Sequence, residues 1–329
     1  MNPISPAPRE LALLRRLAQG PASGDALARA AGLTRAAIWK QVQALREAGV
    51  AIEAAAGRGY ALAAPLDLLD AAAIEQVLPA DARARLAALE VAWSLDSTNS
   101  ELLRRPAPAA GCAVLLAERQ TGGRGRRGRT WVSPLAAHVY LSLARRFDGG
   151  FAQLAGLSLV AGIAAAEAVR ELGVVGCGLK WPNDLWVDGR KLGGLLVEGG
   201  GEAGGPARAV IGLGLNVRMP AVQAARIDQP WIDLQACLRP LPARSAVVAA
   251  VLARLLPALD LFAAEGLAPF LPRWRVLDQL AGKPVRVQLG DGVCEGVAEG
   301  IAADGALCLR AADGLRQLHA GEVSVRPLA

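Results

Sequence analysis

The chain has 329 residues, 53% of them hydrophobic, and a formal net charge of +6 from 36 basic and 30 acidic side chains. That length suits two or three domains, and that apolar content excludes a chain disordered by composition. Arg124, Arg126, Arg127 and Arg129 supply +4 within one acid-free stretch, so the rest is near balance and a general basic coat for nucleic acid is excluded.

Residues 9–62 form a small helical unit closed by a hairpin. Leucines at 11, 13, 14 and 17 give Arg9–Gln19 a helical stripe. Asp25–Ala31 is a second helix stopped by Gly32, and Thr34 N-caps a third that stops at Gly49. In the third helix Ile38, Val42 and Leu45 share the inner face, and Arg35, Trp39, Lys40 and Gln43 point away. Two short strands follow around Gly57-Arg58-Gly59, a wing. This is the winged helix-turn-helix arrangement, with Thr34, Arg35, Trp39, Lys40, Gln43 and Arg58 as candidate DNA contacts. An ordinary helical hairpin with a solvated face is the alternative.

Pro65–Leu89 is expected as a linker into an alanine-rich helix. From Leu89, LEVAWSLDSTNS is a strand entering a polar turn. GCAVLLAERQ and HVYLSLARRF are strands, and LAGLSLVAGIAAAEAVRELG is a long helix. LKWPNDLWVDGRKLGGLLVEGG folds back twice, with Asp188-Gly189 as a hairpin turn. ARAVIGLGLNVRM is another strand, and Ser245–Glu265 a long helix with a glycine stop. Hairpins mixed with helices predict an α+β domain with a mixed sheet. Short strands with Asp-Gly turns at 291–292, 304–305 and 313–314 make Lys283–Pro327 a small β-barrel.

Five scattered cysteines without CxxC spacing exclude zinc and disulfide frameworks and suit a reducing, cytoplasmic setting. The N-terminus carries no signal pattern, and no uninterrupted apolar span is long enough for a membrane helix. His138 and His319, the two histidines, lack partners nearby in sequence and are assigned structural roles.

The loop QTGGRGRRGRTW (120–131) is neither a P-loop nor a dinucleotide fingerprint. Arg127 stands where the third glycine belongs, and no βαβ unit is expected around it. Its chemistry suits an anion. Glycines let the backbone approach closely, and arginines are permanently charged, planar donors for carboxylate or phosphate. Such a loop is expected to be mobile when empty and ordered by its ligand; a solvated basic loop is the plain alternative. Lys180 and Arg190-Lys191 form a second cationic element, with Lys191 placed to reach a ligand across the sheet. Ser97-Thr98-Asn99, with Gln120, suits a neutral polar head such as a urea, or else is a helix N-cap or Asx turn. Together the three elements describe a ligand with a polar head, an apolar middle and a carboxylate that meets phosphate. Carboxylate activation by ATP has that requirement.

DSTN (96–99), QTGGRGRRGRTW (120–131), KWPNDL (180–185), GRKLGG (189–194) and GLGLN (212–216), in this order, resemble the bifunctional biotin–protein ligases that double as biotin operon repressors. The resemblance spans essentially the whole chain. It implies a winged helix-turn-helix domain at 1–65, a biotin/lipoate ligase-like catalytic domain at 66–275 and an SH3-like β-barrel at 276–329. It implies that biotin and Mg²⁺-ATP give biotinyl-5′-AMP, and that biotin then passes to a lysine of the biotin carboxyl carrier protein of acetyl-CoA carboxylase. No covalent enzyme intermediate is expected. By position, Ser97, Thr98, Asn99 and Gln120 contact biotin. Arg124, Gly125 and Arg126 belong to a loop that closes over biotin and the adenylate, and Lys191 meets the carboxylate and α-phosphate. Lys191, Arg124 and Arg126 are therefore the catalytic set, and Arg127 and Arg129 are left to solvent. Asn216, Trp231, Val222, Ile227 and Lys180 are assigned to the adenylate. No metal site is built by the chain itself; Mg²⁺ arrives with ATP, and Asp184 is its one candidate ligand. The resemblance further implies a homodimer favoured by the adenylate, which binds operator DNA of biotin-biosynthesis genes. Trp39 departs from the polar residue usual in the family at that place. Two other classes stay open: a lipoate or octanoate ligase, and a biotin-sensing regulator without ligase activity.

Overall fold

The computed structural model describes residues 9–55, 57–148, 150, 154–201, 205–289, 292–320 and 323–328. The N-terminal unit comprises α1 (Arg9–Ala18), α2 (Gly24–Ala31), α3 (Arg35–Glu47), β1 (Ile52–Ala55) and β2 (Gly59–Leu62). Caps set its helix limits. Ser23 Oγ accepts the Ala26 N–H at 3.1 Å, and Thr34 Oγ1 accepts the Ala37 N–H at 3.2 Å. Gly32 ends α2 in the left-handed region at φ 64°. Leu13, Leu14 and Leu17 close with Leu27, Ile38, Val42 and Leu45 into a core of their own. At Gly59 (φ 81°) a Cβ would strike the Ala22 carbonyl oxygen, and the Ala22–Tyr60 bridge beside it ties the wing to the turn before α2. The unit docks by the end of α3. Leu135 donates its N–H to Ala48 O at 2.8 Å, and Gln223 Nε2 donates to Glu47 O at 2.9 Å.

The segment expected as a linker into an alanine-rich helix holds two short helices and the start of a strand. Asp70 caps α4 (Ala71–Val77), α5 (Ala80–Arg83) follows, and β3 (Leu86–Ala92) begins before Leu89. The polar turn after it is the start of α6 (Thr98–Arg104), which leads into β4 (Cys112–Ala117), parallel to β3. A βαβ unit therefore does precede the arginine loop, which corrects the expectation of none. Its helix opens on Ser-Thr-Asn, residues that favour caps and turns over helix interiors, so the crossover was hidden. The chain continues through β5 (Val139–Phe147), α7 (Leu157–Glu171), β6 (Gly178–Lys180), β7 (Asp184–Val187), β8 (Arg190–Gly201) and β9 (Ala207–Leu215). The seven-stranded mixed sheet has the order β3-β4-β5-β9-β8-β7-β6, antiparallel except at β3/β4.

After α8 (Ala221–Ala224) and α9 (Leu234–Cys237) comes α10 (Arg244–Glu265), which packs with α7 over one sheet face. α6 covers part of the other face, with Leu102 on Leu115, Ala117, Ala144 and Val210. α10 corrects a second expectation, because it is long and apolar enough to cross a membrane. Arg254, Pro257 and Asp260 break the uninterrupted run that was sought. Here it is a core helix. Val248, Leu252, Leu256 and Leu259 are buried, and at its start the buried Arg244 pairs with the buried Glu118 at 2.6 Å. His138 has the structural place expected of it. It is fully buried, its Nδ1 accepts the Val217 N–H at 3.0 Å, and burial pushes its pKa down to about 3. His319 is exposed, its Nδ1 3.9 Å from an Asp304 carboxylate oxygen.

α11 (Leu271–Leu277), which spans the 275/276 limit, leads to β10 (Pro284–Leu289), β11 (Gly292–Ile301), β12 (Leu307–Ala311), β13 (Gly314–Leu318) and β14 (Val323–Pro327). They form an antiparallel sheet in the order β13-β12-β11-β10-β14, the SH3-like C-terminal domain. Gly305 and Gly314 turn at φ 86° and 130° where Asp-Gly turns were expected; Asp291 of the third such pair lies outside the described residues. The sheet joins the main core through Val285, Val287, Leu309 and Val325, and Trp181 Nε1 donates to Gly305 O at 3.0 Å.

Candidate active site

Strand pairing builds the floor of the site. On the face that carries α6, three cross-strand rows run Tyr140–Gly214–Gly194, Ser142–Gly212–Leu196 and Ala144–Val210–Glu198. Two-residue alternation puts these rows on one face. The central glycines open it. A Cβ at Gly212 would strike Asn99 Oδ1, and one at Gly214 would strike the Trp131 indole. This is the physical content of GLGLN, in which the sequence singled out Asn216 alone. Above this floor lies a cleft of about 490 Å³, beside a smaller one of about 70 Å³; Trp131 and Lys191 line both.

At the polar end both readings of Ser97-Thr98-Asn99 hold. Ser97 N-caps α6, accepting the Ser100 N–H at 3.4 Å, and all three residues border the cleft while almost wholly buried. Gln120 Oε1 accepts from Thr98 N at 2.9 Å and Thr98 Oγ1 at 3.2 Å, and its Nε2 donates to Ser133 Oγ at 3.3 Å. Ser142 Oγ donates to Asn99 Oδ1 at 2.5 Å and lies 2.7 Å from Thr98 Oγ1. Asp96 of the same motif serves the scaffold. Arg104 holds both its oxygens at 2.8 Å and draws its pKa down to about 2.

The arginine loop is closed on itself. Gly125 N–H donates to Arg129 O at 2.7 Å, and Trp131 N–H to Gly123 O at 2.9 Å, with Arg127 at φ 58° between. Arg124, Gly125 and Arg126 border the cleft, and so do Arg127 and Arg129, both exposed to solvent as expected. Arg124 donates to Ser100 Oγ at 2.8 Å and pairs with Glu198 at 3.4 Å. Arg126 donates to Asn183 Oδ1 at 3.4 Å and to Ala320 O, and burial lowers its pKa, helped by the charge of Arg127.

Lys191 Nζ lies 2.7 Å from Asp184 Oδ1 and 5.5 Å from the Trp131 ring centre. Lys180 Nζ sits 3.6 Å from Asp184 Oδ2 and 5.0 Å from the Trp186 ring centre, and burial lowers its pKa against the pull of Asp184. Asp184 thus stands between two ammonium groups. The Lys191 backbone is pinned as well: its N–H donates to Pro230 O at 3.0 Å, and its carbonyl accepts from Ile232 N at 2.9 Å. The 219–230 loop therefore ends against the lysine.

Residues 92–216 match the Biotin/lipoate A/B protein ligase family, residues 281–326 the Biotin protein ligase C terminal domain, and residues 9–61 an HTH domain. The bifunctional ligase/repressors BirA of Salmonella typhimurium and Escherichia coli are each 42% identical over 317 residues, covering 96% of this chain and 97% of theirs. The chain belongs to the bifunctional ligase/repressor BirA family. A biotin protein ligase from Aquifex aeolicus, solved in complex with biotin and ATP, matches at TM-score 0.62 and 26% identity, covering 74% of this chain and 99% of that one.

In this BirA-family chain the smaller cavity gathers Asn216, Ile227 and Trp231 around Lys191, whereas Val222 is 72% exposed on α8 and borders neither cavity. One helical turn after Pro220 rotates Val222 outward and Gln223 inward, an orientation that apolar character alone did not reveal. Asn216 spends its amide on the scaffold, donating to Ile232 O at 3.1 Å. On the N-terminal unit, Arg35, Trp39 (54% exposed), Lys40 and Arg58 are exposed and Gln43 is half-buried; the Thr34 hydroxyl is engaged as a cap. Sequence reasoning missed Ser142, Trp131, Asn183 and Arg326 as cleft residues. Trp131 and Asn183 lay inside quoted motifs. Ser142 was marked only as one polar residue in an apolar strand, and Arg326, from the far C-terminal sheet, had no local signal.

Proposed function

We propose that the chain is an ATP-dependent biotin–protein ligase that also represses transcription. The observation that carries this reading is the place of Lys191, shared by the cleft of Thr98, Asn99 and Gln120 and the cavity of Asn216, Ile227 and Trp231. A ureido head suits the first, an adenine the second, and the carboxylate and α-phosphate then meet at the lysine. In the first step a biotin carboxylate oxygen attacks the α-phosphorus of ATP, and pyrophosphate leaves. In the second an acceptor lysine amine attacks the acyl carbon, and AMP leaves.

The chain's part is positioning and charge. Lys191, Arg124 and Arg126 offset the repulsion of carboxylate and phosphate oxygens and the charge that builds in the transition state. A cleft closed to water protects the mixed anhydride. Lys180 and Asp184 orient the incoming amine beside Lys191. Among the described residues no group of three or more acidic, histidine or cysteine side chains is placed to hold a metal. Mg²⁺ would be held chiefly by the nucleotide phosphates, with Asp184, between Lys180 and Lys191, as the candidate protein ligand. Mg²⁺ supplies neutralisation of phosphate charge.

The exposed basic face of α3 and the wing carry the DNA reading. The adenylate orders the loops, which favours a homodimer that grips two operator half-sites upstream of biotin-biosynthesis genes. The domains are taken as 1–65, 66–275 and 276–329, and the work is cytoplasmic, where ATP, operator DNA and the carrier protein of acetyl-CoA carboxylase meet. The test is to incubate the chain with biotin, Mg²⁺-ATP and the carrier domain and to weigh the carrier. A gain of one biotinyl group is expected. No gain with biotin but a gain with lipoate would replace this reading with that of a lipoate ligase.

A further inference from the structure

Glu198 stands behind the polar end of the cleft, in the row under α6, and divides its carboxylate between two site residues. Oε2 accepts from Asn99 Nδ2 at 2.8 Å, and Oε1 lies 3.4 Å from the Arg124 guanidinium. It does not border the cleft itself.

A carboxylate only accepts hydrogen bonds, so it dictates which end of a neighbouring amide it meets. Asn99 Nδ2 is turned to Glu198 and to Leu196 O (3.1 Å), which leaves Oδ1 facing Ser142 in the cleft wall at 2.5 Å. The flipped amide would set Oδ1 against two acceptors. Gly212 lacks the Cβ that would push this amide away. With Thr98 Oγ1 beside it, the polar end presents oxygens suited to a head group that offers N–H donors. The second oxygen of Glu198 draws Arg124, and with it the arginine loop, against the same end.

We propose that Glu198 is a positioning residue. It fixes the Asn99 amide in the arrangement that receives a ureido head, and so sets affinity for that end of the ligand without touching it. This rests on the assignment of biotin to the cleft.

The test is calorimetric titration of the full chain with biotin, together with KM values for biotin and ATP from pyrophosphate release. Glu198→Ala is expected to weaken biotin binding by ~10-fold or more, the scale of a lost hydrogen bond to a charged group. The KM for ATP should rise far less than that for biotin, and the melting temperature should hardly move. Glu198→Gln, whose amide oxygen still accepts from Asn99, should recover most of the biotin affinity. Unchanged biotin affinity in Glu198→Ala overturns the proposal, as does an equal loss for ATP or no recovery in Glu198→Gln. If Glu198→Ala does not fold, a pair of variants decides. Asn99→Asp sets two carboxylates face to face and should weaken biotin binding; adding Glu198→Gln supplies a donor and should restore part of it. No restoration overturns the proposal. Absence of biotin binding by the unaltered chain would instead overturn the biotin assignment itself.

Discussion

Lys191 and Gly194 face the same side of the sheet although they are three residues apart on one strand. A Cβ on Gly194 would come within 3.2 Å of Lys191 Nζ. Regular alternation would put them on opposite sides. The cause is a slip in the β7/β8 pairing: Leu185 pairs with Gly193 but Trp186 pairs with Lys191, so Leu192 is an extra residue. This bulge turns Lys191 into the cleft, as bulges beside active sites do.

Lys191→Ala should cut biotin adenylation by ~10²–10³-fold, the usual scale for removing one preorganised donor at a developing charge. Exchange of pyrophosphate into ATP, measured at saturating biotin, reports it. The circular dichroism spectrum should stay as it is. Retained exchange would strip the lysine of its catalytic assignment.

Gly212→Ala adds a methyl group where Asn99 Oδ1 already sits. Overpacking of this kind costs ~1–3 kcal/mol. Because the strain falls on a proposed biotin contact, the KM for biotin should rise by ~10-fold or more. Gly200→Ala, on a neighbouring strand with nothing within 4 Å of the added Cβ, is the control and should match the parent enzyme. Equal behaviour of the two variants would count against the close-approach account of GLGLN.

His138 sets an acid limit on stability. Its pKa is near 3 in the fold against 6.5 unperturbed, so between those values the unfolded chain binds a proton that the folded chain does not. Its contribution is therefore complete above the unfolded value and is lost as pH falls towards 3, at up to ~1.4 kcal/mol per pH unit. His138→Asn keeps an acceptor for the Val217 N–H and cannot titrate. Urea denaturation at pH 7 and pH 5 should show a smaller loss for this variant than for the parent; parallel losses would refute the assignment.

Operator binding in a gel shift should appear only when biotin and ATP are both supplied. Lys40→Ala on α3 should then lower the slope of log affinity against log salt by ~0.9 if that lysine meets one phosphate. Binding that ignores biotin would sink the corepressor reading, and an unchanged slope would remove Lys40 from the interface.

Thr34 as a helix cap, Gly32 as a helix stop, the leucine stripe of α1 and the Asp-Gly turns at 304–305 and 313–314 were legible in the sequence because each is set by neighbours within a few residues. So were many of the residues that border the cleft, since DSTN, the arginine loop and GRKLGG are each one short stretch of chain. The parallel β3/β4 pair, the bulge at Leu192, the outward rotation of Val222 and the arrival of Arg326 from β14 were decided by the tertiary structure alone. The strand features depend on which strand lies beside which, and in what register, and the rotation of Val222 on the seating of Gln223 against the end of α3. Hydrogen-bond pairing between distant segments determines that, and a local pattern of polar and apolar residues fits several pairings equally well.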